Sequence, residues 1–326
     1  MKRSKRAVTG CFVVSWIILC FGSLSAAAEP RKITFGYSAI GPMMHGLWMA
    51  KETGAFEKYG LEADLIFIAS GPVVVQALLG GDLHAGIAAT SALINAVLQG
   101  APLVAVAVTA NRPYHRLWVQ PEINRMEDLR GKTLGITRIG SYPHQLTVIL
   151  LRKYGLEGAV NLRQYGDTRG MAVAFQQQAI AGAVTSYLNV GPQTPIKILV
   201  NLVDLGIRYI NNVIVVARDF HRRSPRAVEG IVRAYVEGVA ALKRDKNKAL
   251  RVIAKYSYSK DSKFMENEYA DSSTYLDRVP RVDKTAVSTI LDVMGKKDVP
   301  LETFADNSIV DRLVSEGFID KLYKKP

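Results

Sequence analysis

Three short segments of this chain combine glycine with small hydroxyl side chains where an apolar run gives way to a helical pattern. Ser70-Gly71 precedes a helix opening at Pro72, Thr90-Ser91 precedes one opening at Ala92, and Gly140-Ser141-Tyr142 precedes one with Pro143 in its first turn. A helix start offers unsatisfied N–H groups and the positive end of the macrodipole, which together hold anions without forming a bond. Glycine at such a start lets a ligand come close to the backbone. The same hydroxyls could instead serve as plain N-caps. The loop Ser38-Ala39-Ile40-Gly41-Pro42 follows the first predicted strand and is expected beside these starts, with Met43 as a soft apolar wall and Met44 in the core. Thr185-Ser186-Tyr187 ends another strand; Tyr187 could stack on a ligand or fill a hinge. Arg138, at a strand exit, could neutralise an acid group or stay solvated, and His144, one turn into its helix, could contact a ligand or cap. The candidate ligand-binding set is therefore Ser38, Ala39, Gly41, Met43, Ser70, Gly71, Thr90, Ser91, Arg138, Gly140, Ser141, Tyr142, Thr185 and Tyr187.

Patterns for bond-making chemistry are absent. Gly131-Lys132-Thr133 resembles the end of a phosphate loop, but Met126 stands where its first glycine belongs. The chain has no G-x-S-x-G, H-E-x-x-H, calcium-loop or G-x-G-x-x-G pattern. His45, His84, His115, His144 and His221 show no metal-ligand spacing, and the cysteines are Cys11 and Cys20. No catalytic residue, metal or cofactor is expected.

The elements that must position the candidates alternate. Strands are predicted at 32–37, 62–68, 85–89 and 103–109, with helices at 43–59 and 72–79 and another opening after Thr90. After Asn111-Arg112-Pro113 the pattern restarts: strands at 116–119, 132–137, 161–164 and 182–185, and helices at 142–154 and 170–178. Pro192 and Pro195 mark a loop, strands follow at 196–203 and 213–217, and from 218 onward only helices are expected, led by a stripe of Ala227, Ile231, Ala234, Tyr235, Gly238 and Leu242. Strands separated by single helices imply parallel units, hence an α/β sheet covered on both faces. A faint repeat relates Gln76–Thr90 to Ala172–Ser186, each a short helix, a polar link, an Ala-Gly pair opening a buried strand, and a hydroxyl at its end. Two similar lobes are expected, with a ligand cleft at the C-terminal ends of their strands. Asn111 and Asn211 fall near the predicted crossovers.

Residues 1–28 read as a secretory signal: Lys2, Arg3, Lys5 and Arg6, then an apolar run from Cys11 to Leu24, then Ser25-Ala26-Ala27-Ala28 before Glu29. The run is too short to span a bilayer. Both cysteines would leave with it. The rest of the chain would carry a net charge of +9 from dispersed basic residues, and these lack the aromatic interleaving of a nucleic-acid surface.

Several segments resemble one family, the type II periplasmic solute-binding proteins of ABC importers, in the branch that serves nitrate, sulfonates, taurine and thiamine precursors. They are Gly46–Leu61, Ala77–Thr90, Asp128–Ile136 leading to Gly140-Ser141, and Asn307–Phe318. The resemblance implies a two-lobed clamshell with a ligand cleft between the lobes: residues 29–111 plus 213–326 as one lobe and 112–212 as the other. It also implies a periplasmic monomer that delivers a small-molecule solute to an ABC permease and its ATPase, with no nucleic-acid partner. The solute would be a small organic or oxyanionic molecule, sulfonate-, aromatic-acid- or pyrimidine-like. The alternatives are a same-fold enzyme of pyrimidine or menaquinone biosynthesis, and a sensor subunit that presents ligand to a receptor.

Overall fold

The computed structural model describes residues 31–191 and 193–324. The signal-peptide reading of 1–28 and Pro192 lie outside the described residues. Among the described residues ten strands form two sheets. In chain order they are β1 (Lys32–Tyr37), β2 (Glu62–Phe67), β3 (Ala85–Ala89), β4 (Leu103–Val108), β5 (Arg116–Val119), β6 (Thr133–Ile136), β7 (Asn161–Gln164), β8 (Gly182–Thr185), β9 (Lys197–Asn201) and β10 (Asn212–Ala217). One sheet has the order β2-β1-β3-β10-β4 and the other β7-β6-β8-β5-β9. The two orders correspond position for position. The repeated segments end in β3 and β8, the middle strand of each sheet, so the faint sequence repeat marks the same place in both lobes.

The central strands are apolar along their whole length because both of their faces are covered. Leu-Val-Ala-Val-Ala-Val in β4 and Ala-Gly-Ile-Ala-Ala in β3 are buried at every residue. The sheets are mixed rather than parallel. β10 runs antiparallel to β3 and β4, and β5 runs antiparallel to β8 and β9. Local strand–helix alternation carries no information about these two strands, since each enters its sheet from a segment that crosses from the other. Residues 109–115 make the outward crossing and residues 202–211 the return.

The first long helix is also interrupted. A 3-10 turn Pro42–Met44 leads into His45–Glu52, and a second helix, Ala55–Lys58, follows a break at Gly54. Gly54 has φ +71°, a left-handed conformation open to glycine at little cost, and it splits what the periodicity reads as one helix. Beyond β10 the named elements are helical, as expected. Pro225–Arg244 lays Ala227, Ile231, Ala234, Tyr235, Gly238 and Leu242 in the core against His45–Glu52. Trp48 stacks on Tyr256 at 4.9 Å, tying a further helix, Lys246–Ser257, to the same face. Ser262–Tyr275 then reaches the second sheet: Asp271 accepts two hydrogen bonds from Arg116 of β5, at 2.8 and 2.9 Å. A separate apolar cluster includes Leu103 and Val213 from one sheet with Leu117 and Leu134 from the other, so the lobes are packed together. Among the described residues no helix is long and apolar enough to cross a membrane.

Candidate functional site

A cavity of about 770 Å³, part of it open to solvent, lies between the two sheets. Its wall is built from the segments just beyond the C-terminal ends of the strands. β1 supplies Ser38–Gly41, Met43 and Met44; β2 supplies Phe67, Ser70 and Gly71; β6 supplies Thr137, Ser141, Tyr142 and Pro143; β7 supplies Asp167, Thr168 and Arg169; β8 supplies Thr185 and Ser186. The crossings contribute Tyr114, His115 and Asn211, and Asn212 opens β10. This is where ligands bind in open α/β sheets.

Three helices begin at this wall: Gly71–Gly80, Tyr142–Lys153 and Thr168–Gln176. Their N-termini bring positive partial charge to one space. At the third, Asp167 accepts from the Gly170 N–H at 2.8 Å, so a carboxylate already offsets that charge. At the second, Ser141 is a true N-cap. Its Oγ receives the His144 N–H at 3.4 Å and the Thr137 hydroxyl at 2.8 Å. The Arg138 N–H also points at it, at 3.4 Å, so with three donors directed at its oxygen the Ser141 hydroxyl can donate its own proton onward. His144 also caps: its Nδ1 accepts from the Gly140 N–H at 3.1 Å, and burial holds its imidazole below the ordinary value.

At the first helix, Ser70 adopts φ +82°, strained for a residue with a side chain, and is buried. Its Oγ has no hydrogen-bond partner among the described residues; His115 Nδ1 and the Tyr142 hydroxyl share that condition. Leaving a buried polar group unpaired costs about 1–3 kcal/mol. Burial, with the Arg116 charge beside it, takes His115 down to about 3, so the imidazole is neutral at ordinary pH. Burial and the carboxyls of Glu268 and Asp271 push the Tyr114 hydroxyl well up, and burial does the same for Tyr142. Apart from Asp167 and Arg169, the wall is thus neutral and polar on one side and apolar on the other, through Ile40, Met43, Met44 and Phe67.

Of the candidates read from sequence, the cavity wall brings together Ser38, Ala39, Gly41, Met43, Ser70, Gly71, Ser141, Tyr142 and Thr185. Gly71 is there for packing: a Cβ on it would sit 2.6 Å from the Ala89 nitrogen of β3. Five candidates stand outside the wall. Thr90 Oγ1 donates to the Asn211 carbonyl at 3.2 Å, and Ser91 Oγ donates to the Gly140 carbonyl at 3.0 Å, so both hydroxyls are occupied by backbone. Gly140 lies against Pro72 of the other lobe, and the Arg138 side chain is exposed. Tyr187 lines a neighbouring cavity instead. Met44 belongs both to the core and to the wall.

Sequence reading missed Asp167, Thr168 and Arg169 because it started that helix at Gly170. The Asp167-Thr168 pair is itself a helix-start signal and could have located them. Tyr114, His115, Asn211 and Asn212 carry no comparable local signal; the crossings bring them in. Among the described residues no group of three or more His, Cys, Asp or Glu could hold a metal ion.

The profile of the family described as NMT1/THI5 like matches residues 42–249. A Brucella abortus (strain 2308) protein named as a binding protein is 33% identical over 146 residues, 45% of each chain. The match thus spans about half the length of that relative. An Escherichia coli (strain K12) protein named for binding aliphatic sulfonates is 24% identical over 259 residues, covering 77% of this chain and 78% of that one. The alkanesulfonate-binding protein of Xanthomonas axonopodis pv. citri, solved with MOPS bound, superposes with a TM-score of 0.67 at 16% identity over 92% of this chain and 96% of the other, which shows a shared fold. On the profile match, which covers more than half of its length, the chain belongs to the NMT1/THI5-like family.

Proposed function

We propose that this chain is an extracytoplasmic solute-binding protein that delivers a small organic or oxyanionic solute to an ABC permease and its ATPase, acting as a monomer. One observation carries the reading. A cavity between two matched sheets is walled by helix starts from both, and Ser70, His115 and Tyr142 hold buried polar atoms there with no partner among the described residues. A solute that supplies those partners gains the cost of leaving them unmade. The names of the Escherichia coli and Xanthomonas proteins point the same way. We assign 29–111 plus 213–326 to one lobe and 112–212 to the other, and read 1–28 as the leader to the periplasm.

The mixed wall favours an organic solute over a bare inorganic anion. Met43, Met44, Phe67 and Tyr142 offer apolar surface that nitrate would leave unused. The wall gives little support to an enzyme, because the His115 Nδ1 has no hydroxyl to activate. Thermal-shift screening of residues 29–326 against sulfonates, aromatic acids, pyrimidines and nitrate tests the proposal. Saturation with the right class should raise Tm by about 5 °C. A shift with nitrate or bicarbonate alone overturns the organic reading, and no shift with any class overturns the binding role.

A further inference from the structure

Basic residues are dispersed over most of the chain, but residues 243–263 hold eight of them against two acids. At the centre is the helix Lys246–Ser257, which contains Lys246, Lys248, Arg251 and Lys255 and no acidic residue. Its Ala249, Val252 and Ile253 are buried, which turns Lys248, Arg251 and Lys255, at i, i+3 and i+7, together toward solvent. The cations differ in how they are held. Lys246 pairs with Glu266 and Lys255 with Glu52, each at 2.8 Å. Lys248 and Arg251 have no ion pair among the described residues, and neither have Lys260 and Lys263 on the segment that follows. The two acids are turned to helix starts. Asp245 accepts from the Lys248 N–H, and Asp261 from the N–H groups of Lys263 and Phe264.

The helix ends on an aromatic. Tyr258, its C-cap, takes the left-handed conformation at φ +55°, and it is 85% exposed, more than any other large apolar residue described. Tyrosine joins an apolar ring to a polar hydroxyl, and such rings collect where the headgroups of a membrane meet its acyl chains. The unpaired cations around it draw negative charge. They do not converge on one point: the helix alone runs about 18 Å, and Lys260 and Lys263 carry the charge past Tyr258. That spread suits a broad anionic surface rather than a single anion. An acidic protein surface would match the charge but offer the ring no apolar layer to enter.

We propose that this helix and the turn after it form a seat for an anionic phospholipid surface. Lys248, Arg251, Lys260 and Lys263 supply the attraction, and Tyr258 enters the headgroup layer. The apolar face of the helix is committed to the core, so the contact is electrostatic, reversible and weakened by salt. Ser257 and Ser259, on either side of Tyr258, line a second cavity of about 850 Å³ that adjoins the first and shares Thr185 and Ser186 with it. The seat therefore brings one end of the cleft to the membrane, whatever the cleft holds.

Co-sedimentation of residues 29–326 with lipid vesicles tests this without any solute, and without the apolar run of 11–24. Vesicles of equimolar phosphatidylglycerol and phosphatidylcholine should bind the protein, and phosphatidylcholine alone should not. Salt at about 1 M, where the screening length is about 3 Å, should release it. A basic residue near such a surface multiplies binding about fivefold, so Lys248→Gln with Arg251→Gln should weaken it about 25-fold. Arg130→Gln with Lys132→Gln, an equal loss of charge at exposed positions before β6, should leave it nearly unchanged. Tyr258→Ala should weaken it severalfold. Circular dichroism establishes that each variant is folded. Equal losses in the two double variants, equal binding to both kinds of vesicle, no binding to the anionic ones, or full binding by Tyr258→Ala each overturn the inference and leave the solute-binding reading standing.

Discussion

The Ser91 hydroxyl, one residue into the helix that follows β3, donates to the Gly140 carbonyl at 3.0 Å, in the loop that follows β6 of the opposite sheet. The bond joins the two lobes beside the cavity rather than touching its contents. Removing it should weaken the closed arrangement by about 1 kcal/mol, the net worth of a typical hydrogen bond. Solute affinity in Ser91→Ala is therefore expected to fall about fivefold through faster release, with little change in association. Stopped-flow rates check the division between the two, and a loss confined to the association rate would contradict it.

Ser141 sits where capping and anion binding coincide, and a paired substitution separates them. Ser141→Asp places a carboxylate at the start of Tyr142–Lys153 and is expected to lower affinity for an anionic solute at least tenfold. Ser224→Asp makes the same chemical change at the start of Pro225–Arg244, remote from the cavity wall, and should leave affinity as it is. Circular dichroism establishes that both variants are folded. Equal affinities measured by calorimetry would remove Ser141 from the site.

Stability should fall as the solution is acidified below neutrality. Burial takes His45 and His115 down to about 3 and pushes His144 down as well, so these rings stay neutral in the native protein where the unfolded chain binds protons, below about 6.5. The stability they contribute is complete above that value and is lost as pH falls toward about 3. Glu268 and Asp277 act in the opposite sense. Burial raises both carboxyls, so their contribution is present at low pH and is lost as pH rises through their folded values. The three histidines outnumber them. The net loss between about pH 6.5 and 5 should be about 1.4 kcal/mol per pH unit for each net proton. Urea midpoints across that range measure it. Glu268→Gln removes one of the opposing groups and should steepen the slope; a flat profile in both proteins would contradict this assignment.

The division between what could and could not be read from sequence follows the range of the interactions. The strands and their order of appearance were legible because buried apolar runs such as Leu103–Val108 declare themselves locally, and the helix starts at Ser70 and Ser141 did so through their serine and proline residues, although only Ser141 caps with its side chain. The direction of β5 and β10 was not, because it depends on segments that cross between sheets. Ser91 shows the limit for side chains: its type and position suit a ligand contact, but its hydroxyl is taken by a carbonyl 49 residues away. Glu268 lies in a helix of mixed polarity, Ser262–Tyr275, where nothing nearby distinguishes it from a solvated acid. Only the packing of that helix over both sheets buries it beside a cavity.

The central claim is that the lobes close on a solute held between them, and a distance between the lobes tests it most directly. Ile66 and Ile139 are exposed on opposite lobes, at 44% and 65%, and the chain has no cysteine after Cys20. Spin labels on Ile66→Cys and Ile139→Cys in residues 29–326 therefore report one separation. Electron–electron resonance should find a broad, longer distribution in ligand-stripped protein that narrows and shortens on saturation with an organic anion. A distribution that stays the same while calorimetry shows the anion bound would contradict the account.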